Sequence, residues 1–333
     1  MTEGRAGRAE PRALAVAGAL TIAFSSILVA LADVSPESAA IFRCAYALPV
    51  LWLLDARERR RFGPRDVRER RLALAAGVLF AADLISWHHA IAAVGAGLAT
   101  VLANLQVAFV PLIAWAALGE RPASRVLAAL PVILGGIVLL SGVLETGAYG
   151  SDPVAGIVFG LLTGIAYAGF ILVLRQGGAD LRRPAGPLYE ATATAAIVAL
   201  GAGLALGRAD LEPSWPAHGW LLTLALSSQV LGWLLISTSL PRLPAALTSV
   251  LLTLQPAGSL VLGALLLGEE PTLLQLAGAA AVLAALVGVA RGGGVPAADE
   301  AEATRFRECP APDSPPAAAW PSSPPPRPRT PSR

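Results

Sequence analysis

The sequence predicts an all-α polytopic membrane protein, with ten transmembrane helices arranged as two inverted five-helix repeats. Composition is the first reason: 55% of the 333 residues are hydrophobic, only 14% are charged, and the mean hydropathy is +0.63. Soluble domains carry roughly 25% charged residues, so this chain is too apolar to remain in water. The second reason is that two similar apolar segments, each followed by Gly-Glu, occur along the chain.

Ten apolar runs, each about 20 residues long, are sufficient for helices that cross a hydrocarbon core of about 30 Å. Charged residues or Pro and Gly bound these runs. Two longer runs are divided at predicted hairpins, Gly95–Gly97 and Pro241–Pro244. The ten predicted spans are 13–31, 36–54, 72–92, 95–118, 126–144, 154–174, 187–207, 217–240, 244–267 and 272–290.

Arginine placement sets the predicted orientation, because basic residues of short loops stay on the cytoplasmic side. The segment 55–71 alone holds eight arginines, whereas Arg208 is the single basic residue of the predicted outer loops. Both termini are therefore expected in the cytoplasm, with the protein multi-pass in a bacterial plasma membrane. The arginine segment is interpreted as an anchor near anionic lipid rather than as a nucleic-acid patch, so no nucleic acid is expected as a partner.

The duplicated segment divides the chain into two halves. NLQVAFVPLIAWAALGERP at 104–122 is followed 149 residues later, without a gap, by TLQPAGSLVLGALLLGEEP at 253–271. A repeat with an odd number of spans re-enters the membrane from the opposite side, so the halves are predicted to be inverted, a recurring construction of secondary transporters. The predicted parts are a cytoplasmic tail at 1–12, repeats at 13–145 and 150–291, and a disordered cytoplasmic tail at 292–333.

Together with SPESAAIFRCAYALPVL at 35–51, the two Leu-Gly-Glu segments resemble the drug/metabolite transporter (DMT) superfamily, EamA type. The resemblance implies two EamA-like repeats around a central cavity, and a secondary transporter that moves small metabolites or drugs, commonly outward as efflux. An importer or exchanger of the same fold and a non-transporting membrane scaffold or sensor are the alternatives. The sequence has no Walker, HExxH or GxSxG motif, so an enzyme is not expected.

Two charged residues lie near the middle of predicted spans, where a charge costs at least a few kcal/mol and marks a candidate functional site. Asp83 is predicted to bind a proton or a cationic group, and Arg43 to hold an anionic group or to tune Asp83. The alternative is that the two side chains neutralise each other as a structural pair. Glu190, close to the predicted cytoplasmic interface, is interpreted as a snorkelling or capping carboxylate.

Amide side chains occupy matching places in the two halves. Gln106 and Gln255 lie at the centres of spans 4 and 9. They are predicted to bind a polar substrate at the midplane, since an amide both donates and accepts hydrogen bonds. The alternative is an interhelical hydrogen bond with no role in binding. Asn104 lies roughly 200° from Gln106 on a regular helix, and is predicted to contact a neighbouring helix instead.

Two polar–aromatic pairs share a four-residue spacing: Asp83 with Trp87, and Gln229 with Trp233. A polar group beside an aromatic ring can orient an amphipathic or cationic ligand, so these side chains are predicted to line the cavity. The alternative is that the tryptophans serve packing or interfacial anchoring.

Glu120 and Glu269 lie in the two Gly-Glu-x-Pro turns and are predicted to be structural hairpin residues on opposite membrane faces, with a gating role left open. A glycine stripe at 156, 160 and 164 predicts a close helix contact, within the bundle or across a homodimer. The two cysteines, Cys44 and Cys309, form no metal-ligand cluster, so neither a metal nor another cofactor is expected. Coupling of transport to a proton or to a counter-substrate is left open.

Overall fold

The structure is a computed structural model that describes residues 11–119, 121–178, 180, 182–239 and 254–291. Throughout these ranges the regular structure is helical, and no strand occurs in them. Two of the helical segments, Ala225–Gly232 and Gly263–Leu267, are wider turns with i→i+5 hydrogen bonds. The helices are α1 Pro11–Ala32, α2 Pro36–Phe62, α3 Val67–Val94, α4 Ala96–Ala103, α5 Gln106–Leu118, α6 Ser124–Leu140, α7 Pro153–Gly177, α8 Ala185–Ala205, α9 Ala217–Leu224, π1 Ala225–Gly232, α10 Trp233–Ser239, α11 Leu254–Leu262, π2 Gly263–Leu267 and α12 Leu273–Arg291.

Eight helical segments of the described residues are long and apolar enough to cross a membrane. Two further apolar helical segments are shorter, Ser124–Leu140 and Leu254–Leu267, and the second of these follows a stretch outside the described residues. The prediction of an all-helical membrane protein is therefore confirmed. The count of ten spans and the inversion of the two halves stay predictions, as do the boundaries of the two repeats and of the tails.

The helices α2 and α3 extend further than the predicted spans 36–54 and 72–92. The arginine segment 55–71 is helical except at 63–66, because Glu and Arg favour helices and ion pairs such as Asp55 with Arg59 support the last turns. Asp66 begins α3 as its N-cap and accepts a hydrogen bond from the Arg68 amide. This end of the bundle is called the arginine end below.

The single residue Gly95 separates α3 from α4, at the position of the first predicted hairpin. Its φ of 85° lies in the left-handed region, which glycine adopts without steric cost. The second predicted hairpin, Pro241–Pro244, lies outside the described residues. The end of the bundle that carries Gly95 is called the hairpin end below.

The most extensive helix contacts join the two halves of the chain. The α3 helix packs against α7 and α8, α2 packs against α8, and α6 packs against α12. The glycine stripe of α7 belongs to this packing, because its Gly160 lies against Leu102 and its Gly164 against Phe109. The stripe therefore serves contacts within the bundle, the first of the two predicted alternatives.

The crossing of α6 and α12 depends on two glycines that face each other. A Cβ atom at Gly136 would lie 2.9 Å from the carbonyl oxygen of Gly278 and 2.7 Å from a methyl group of the buried Val282. Small residues at such a crossing let two backbones approach closely and gain dispersion contacts. A Cβ atom at the neighbouring Gly135 would meet no atom within 4 Å.

We expect Gly136→Ala to lower the free energy of unfolding by about 1–3 kcal/mol, because the added methyl group forces α6 away from α12. Gly135→Ala on the same helix is the matched control, and is expected to be neutral or slightly stabilising because alanine favours a helix more than glycine does. Thermal unfolding of the two purified variants in detergent measures the difference. Equal melting temperatures would show that the crossing does not depend on a bare backbone.

Candidate functional site

A cavity lies inside the bundle and is lined by both halves of the chain. Its free volume is about 60 Å³, which is room for a few water molecules. Charged, polar and aromatic side chains surround this space in a chain that is otherwise strongly apolar. The lining residues are Ile22, Ser25, Arg43, Phe80, Asp83, Leu84, Trp87, Thr100, Ala103, Asn104, Tyr167, Ser228, Trp233 and Gln255.

Arg43 is the buried cation of the cavity, with only 3% of its surface exposed. Its Nη2 donates a hydrogen bond to Gln229 Oε1 at 3.2 Å, and its Nη1 lies 3.4 Å from His88 Nε2. The guanidinium carbon lies 5.7 Å from the centre of the Trp87 ring, within the range of a cation–π interaction. Three neighbours therefore hold the guanidinium, and all three are uncharged when His88 is neutral.

The hydrogen bonds around His88 define its tautomer. His88 Nδ1 lies 3.1 Å from the carbonyl oxygen of Pro36, which can only accept, so Nδ1 carries the hydrogen. Its Nε2 is then free to accept a hydrogen bond from Arg43. On the other side, Gln229 donates to Thr192 Oγ1 at 3.1 Å. Gln229 thus positions Arg43 and does not line the cavity itself, unlike the prediction that it contacts substrate.

Asp83 lines the cavity from α3 and is 7% exposed. No ion pair within 4.0 Å and no hydrogen bond reaches its carboxylate from any described residue; Thr163 donates to its backbone carbonyl oxygen instead. Arg43 and Asp83 therefore form no salt bridge. The two ionisable side chains line the same small space.

Aromatic rings form one wall of the cavity. Phe80 and Phe170 stack with their centroids 4.5 Å apart, and Trp233 meets the Phe80 ring edge-on at 6.3 Å. Tyr167 also meets Trp233 edge-on, at 6.2 Å. Edge-to-face contacts of this kind stabilise a rigid aromatic cluster. Trp87 and Trp233 thus both line the cavity, while Trp233 also packs against its aromatic neighbours.

The amides are placed differently from the prediction. Gln255 lines the cavity, but Gln106 is buried outside its lining, and Asn104 takes that position in the first half. The reason is a break between α4 and α5, where Leu105 N donates to Leu102 O and Val107 N to Asn104 O. These i→i−3 bonds tighten the turn, so the rotation of a regular helix does not apply there.

Three buried polar atoms of the lining have no hydrogen-bond partner among the described residues: Arg43 Nε, Trp87 Nε1 and Ser228 Oγ. Buried polar groups are nearly always paired in folded proteins, so these three atoms are available to a water molecule or a ligand. Arg43 and Trp87 supply N–H donors, while Ser228 supplies a hydroxyl group. The unpredicted polar lining residues share one feature in the sequence, since each lies within an apolar run: Ser25, Thr100, Tyr167 and Ser228.

Glu269 connects the two halves at the hairpin end. Its carboxylate accepts hydrogen bonds from the amides of Ala96, at 2.5 Å, and of Gly97, at 3.1 Å. It thereby caps the first turn of α4, where the unpaired amides and the helix dipole favour a negative charge. The predicted hairpin residue of the second half therefore contacts the hairpin of the first half. The corresponding Glu120 lies outside the described residues.

Glu190 connects the halves at the arginine end, and its predicted role as a snorkelling or capping carboxylate is wrong. It is 4% exposed and binds Arg65 at 2.6 Å and Arg70 at 2.9 Å, with Arg59 at 3.8 Å. Arg65 also donates to the carbonyl oxygen of Gly177. Three arginines of the segment predicted as a lipid anchor thus converge on one buried carboxylate, a set called the Glu190 cluster below.

Comparison with known proteins gives a family match on both halves. The model of the EamA-like transporter family matches residues 12–142 and again residues 154–291. Together the two matches cover most of the chain and correspond to the two halves that the duplicated segment indicates.

A relative and a solved structure are also similar to this chain. Uncharacterized protein PA1977 of Pseudomonas aeruginosa is 33% identical over 177 residues, which are 51% of this chain and 58% of that protein. The chain thus matches a little over half the length of this relative. A crystal structure of another protein superposes with a TM-score of 0.56 over 84% of this chain and 96% of its own, at 15% identity, which supports the fold alone.

The stability of the protein should depend on the protonation of Glu269. Burial raises the pKa of this carboxyl, and the hydrogen bonds from Ala96 and Gly97 oppose that rise. The folded protein therefore holds the proton more tightly than the unfolded chain, in which the pKa is about 4.3. We expect the free energy of unfolding to fall as pH rises from that value through the raised pKa, and Glu269→Gln to flatten this part of the profile.

Thermal unfolding across this pH range measures the effect. Glu212→Gln, a change at an exposed loop glutamate, is the matched control and should keep the slope of the unmodified protein. A slope that survives Glu269→Gln would assign the pH dependence to other groups.

Removal of the negative charge at Glu190 should destabilise the protein strongly. In Glu190→Gln the buried Arg65 keeps its charge but loses its closest counter-ion, a change that typically costs about 3–5 kcal/mol. The control is Glu69→Gln, since Glu69 is more exposed and lies 3.8 Å from the same guanidinium; its loss should cost at most about 1 kcal/mol. Equal losses in the melting temperature of both variants would contradict a central role for Glu190.

Proposed function

The chain belongs to the EamA-like transporter family, and we propose that it is a secondary transporter that exports a small polar or amphipathic metabolite or drug. In this proposal the two halves are inverted five-helix repeats around the central cavity. Rocking of one repeat against the other opens the cavity alternately to the two sides of the membrane. The proposed location is a bacterial plasma membrane, with the arginine end in the cytoplasm.

The observation that carries the proposal is the composition of the cavity. Arg43 and Asp83 both line it, together with residues from the two halves of the chain. An ionisable residue within a membrane is costly, and its usual place is a substrate or ion pathway. A purely structural bundle has no need for two buried ionisable side chains that form no salt bridge with each other.

The free volume of about 60 Å³ is small for a substrate site. Ligand sites that bind metabolites usually offer several hundred Å³, so a substrate enters only after the bundle opens. Two connections between the halves are suited to control this opening. Glu269 holds the start of α4 at the hairpin end, and the Glu190 cluster joins α8 to the helices α2 and α3 at the arginine end.

The non-transporting scaffold or sensor is the weaker alternative. It would use the arginine segment and the C-terminal tail to recruit cytoplasmic partners, whereas three of the eight arginines of that segment, Arg59, Arg65 and Arg70, contact Glu190 of the same chain. An importer or exchanger of the same fold uses the same cavity. If transport is coupled to proton movement, Asp83 is the candidate group that binds the proton. Exchange for a counter-substrate is the other way in which transport could be driven.

The experiment that tests the proposal is transport by the purified full chain in proteoliposomes. The vesicles are exposed to a defined mixture of amino acids, nucleosides, sugars and amines, and mass spectrometry measures what enters. We expect at least one compound to enter faster than into protein-free vesicles, and Asp83→Asn to slow it at least about tenfold.

Asp33→Asn is the matched control for this experiment. Asp33 is an exposed aspartate at the end of α1 with φ of 48°, a conformation that asparagine tolerates, so transport should be unchanged. Vesicles in which no compound of the mixture moves faster than in protein-free vesicles would contradict the proposed function. A flux that Asp83→Asn leaves intact would remove Asp83 from the pathway.

A further inference from the structure

We propose that a pocket at the hairpin end is a second ligand site, which binds a primary ammonium group on the Glu269 carboxylate and a compact apolar body beside it. The pocket has a free volume of about 340 Å³ and shares no described lining residue with the central cavity. Sites for small organic molecules usually offer roughly 300–1,000 Å³. The site goes beyond the proposed transport function, since binding there does not require transport.

Three parts of the chain form the pocket. The first half contributes the end of α1 and the turn from α3 to α4. Leu267 and Glu269 come from the second half, and Tyr149–Ser151 come from the segment between α6 and α7. This segment, residues 141–152, is called the linker below. A ligand in the pocket therefore contacts both halves and the linker at once.

The Glu269 carboxylate gives the pocket its charge. It is 5% exposed and has no ion pair in the described part of the chain. Each of its oxygens accepts one amide hydrogen, from Ala96 or from Gly97, and keeps a second lone pair. The N-terminus of α4 offsets only about half of one negative charge. The carboxylate therefore still lacks a counter-ion, which a cationic ligand can supply.

An aromatic ring is held beside this carboxylate. A Cβ atom added at Gly95 would lie 2.7 Å from Glu269 Oε1 and 2.9 Å from Tyr149 Cε1, so the ring and the carboxylate are neighbours. The buried Gln275 accepts a hydrogen bond from the Tyr149 amide at 2.9 Å and donates one to the Tyr149 carbonyl oxygen at 3.0 Å. The linker is thus fixed in place before a ligand arrives, which lowers the entropic cost of binding.

The electrostatics extend to the tyrosine. Burial raises the pKa of the Tyr149 phenol, and the negative charges of Glu269 and Glu270 raise it further. The phenol therefore stays neutral, and its ring can contact a cation without repulsion. A cation near an aromatic ring gains about 0.5–2 kcal/mol, depending on how far it is removed from water.

The rest of the lining disfavours other ligand classes. An anion would meet Glu269 and find no basic residue among the described lining residues. Mg²⁺ and Ca²⁺ require about six or more oxygen ligands, whereas Ile91, Leu267 and several alanines make most of this lining apolar. The Ser151 hydroxyl group already donates to backbone carbonyl oxygens of α3. A primary ammonium group on an apolar body satisfies both the carboxylate and the apolar wall.

The test compares two ligands that differ in charge and share one ring. Purified full-length protein in a neutral detergent is titrated with para-fluorobenzylammonium and with para-fluorobenzyl alcohol, and fluorine NMR measures binding. The alcohol controls for partition into the detergent. We expect the ammonium compound to bind at least about tenfold more tightly, because its hydrogen bonds to the carboxylate are charge-assisted. Equal affinities would overturn the site.

Variants assign the binding to this pocket. In Glu269→Gln the ammonium compound should bind no better than the alcohol, whereas Glu270→Gln, at an exposed neighbour, should keep the preference. Ala92→Phe fills the pocket and should abolish binding of both compounds, whereas Ala75→Phe, also exposed on α3 but outside the lining, should not. Asp83→Asn should keep the preference; its loss there would place the amine in the central cavity and overturn the proposal.

Amide hydrogen exchange locates the ligand without any variant. The amides of Ala96 and Gly97 donate to Glu269, and a ligand that joins the halves should slow their exchange severalfold. The Arg68 amide, which donates to Asp66 at the arginine end, is the control and should exchange at an unchanged rate. Unchanged exchange at Ala96 and Gly97 under saturating amine would overturn the site, even where the variants fail to fold.

A free amine and the headgroup of phosphatidylethanolamine present the same ammonium group. Titration in nanodiscs of phosphatidylglycerol, with and without phosphatidylethanolamine, distinguishes the two sources. A weaker apparent affinity for the ammonium compound in the presence of phosphatidylethanolamine would assign the site to the headgroup, and an equal affinity would assign it to a free amine. Absence of binding in both kinds of nanodisc would overturn the site.

Discussion

Arg43 is buried at a cavity inside a largely apolar bundle and forms no salt bridge there, and this constrains the structure around it. The guanidinium must be held in place by groups that do not neutralise it. Arg43 is held by neutral partners, Gln229 and His88, and these are themselves fixed by Thr192 and by the carbonyl oxygen of Pro36. Parts of α2, α3, α8 and π1 therefore serve to keep one guanidinium available.

The two halves are also connected at both ends of the bundle, by Glu269 at the hairpin end and by the Glu190 cluster at the arginine end. The two connections use different interactions. At the hairpin end a carboxylate binds backbone amides, an interaction that requires no partner side chain. At the arginine end a buried carboxylate binds guanidinium groups, an interaction that depends on charge. The two ends should accordingly respond differently to ionic strength, which screens the half-exposed Arg59 and Arg70 more than it affects hydrogen bonds to amides.

The sequence alone predicted the helical membrane fold, since span length and composition are direct consequences of the bilayer. It also identified Arg43, Asp83, Trp87, Trp233 and Gln255 as cavity candidates, because polar, charged or tryptophan side chains are conspicuous within apolar runs. These residues do line the cavity, while their role in binding stays a prediction.

Sequence periodicity could not place Asn104 or Gln229. It assumes a regular helix, whereas the chain tightens after Ala103 and widens into an i→i+5 turn over Ala225–Gly232. The ion-pair partners of Glu190 could not be predicted from the sequence either. Arg65 lies 125 residues away in the chain and contacts Glu190 only because α8 packs against α2 and α3.

The capping of α4 by Glu269 has a consequence for biosynthesis. The amide of Ala96 and its acceptor are 173 residues apart, so a ribosome that adds about 5–20 residues per second needs roughly 10–35 s to supply the carboxylate after the amide has been made. During that interval the first turn of α4 is already within the nascent chain but lacks its acceptor. A chain that stops between the halves therefore contains the start of α4 without the carboxylate that caps it.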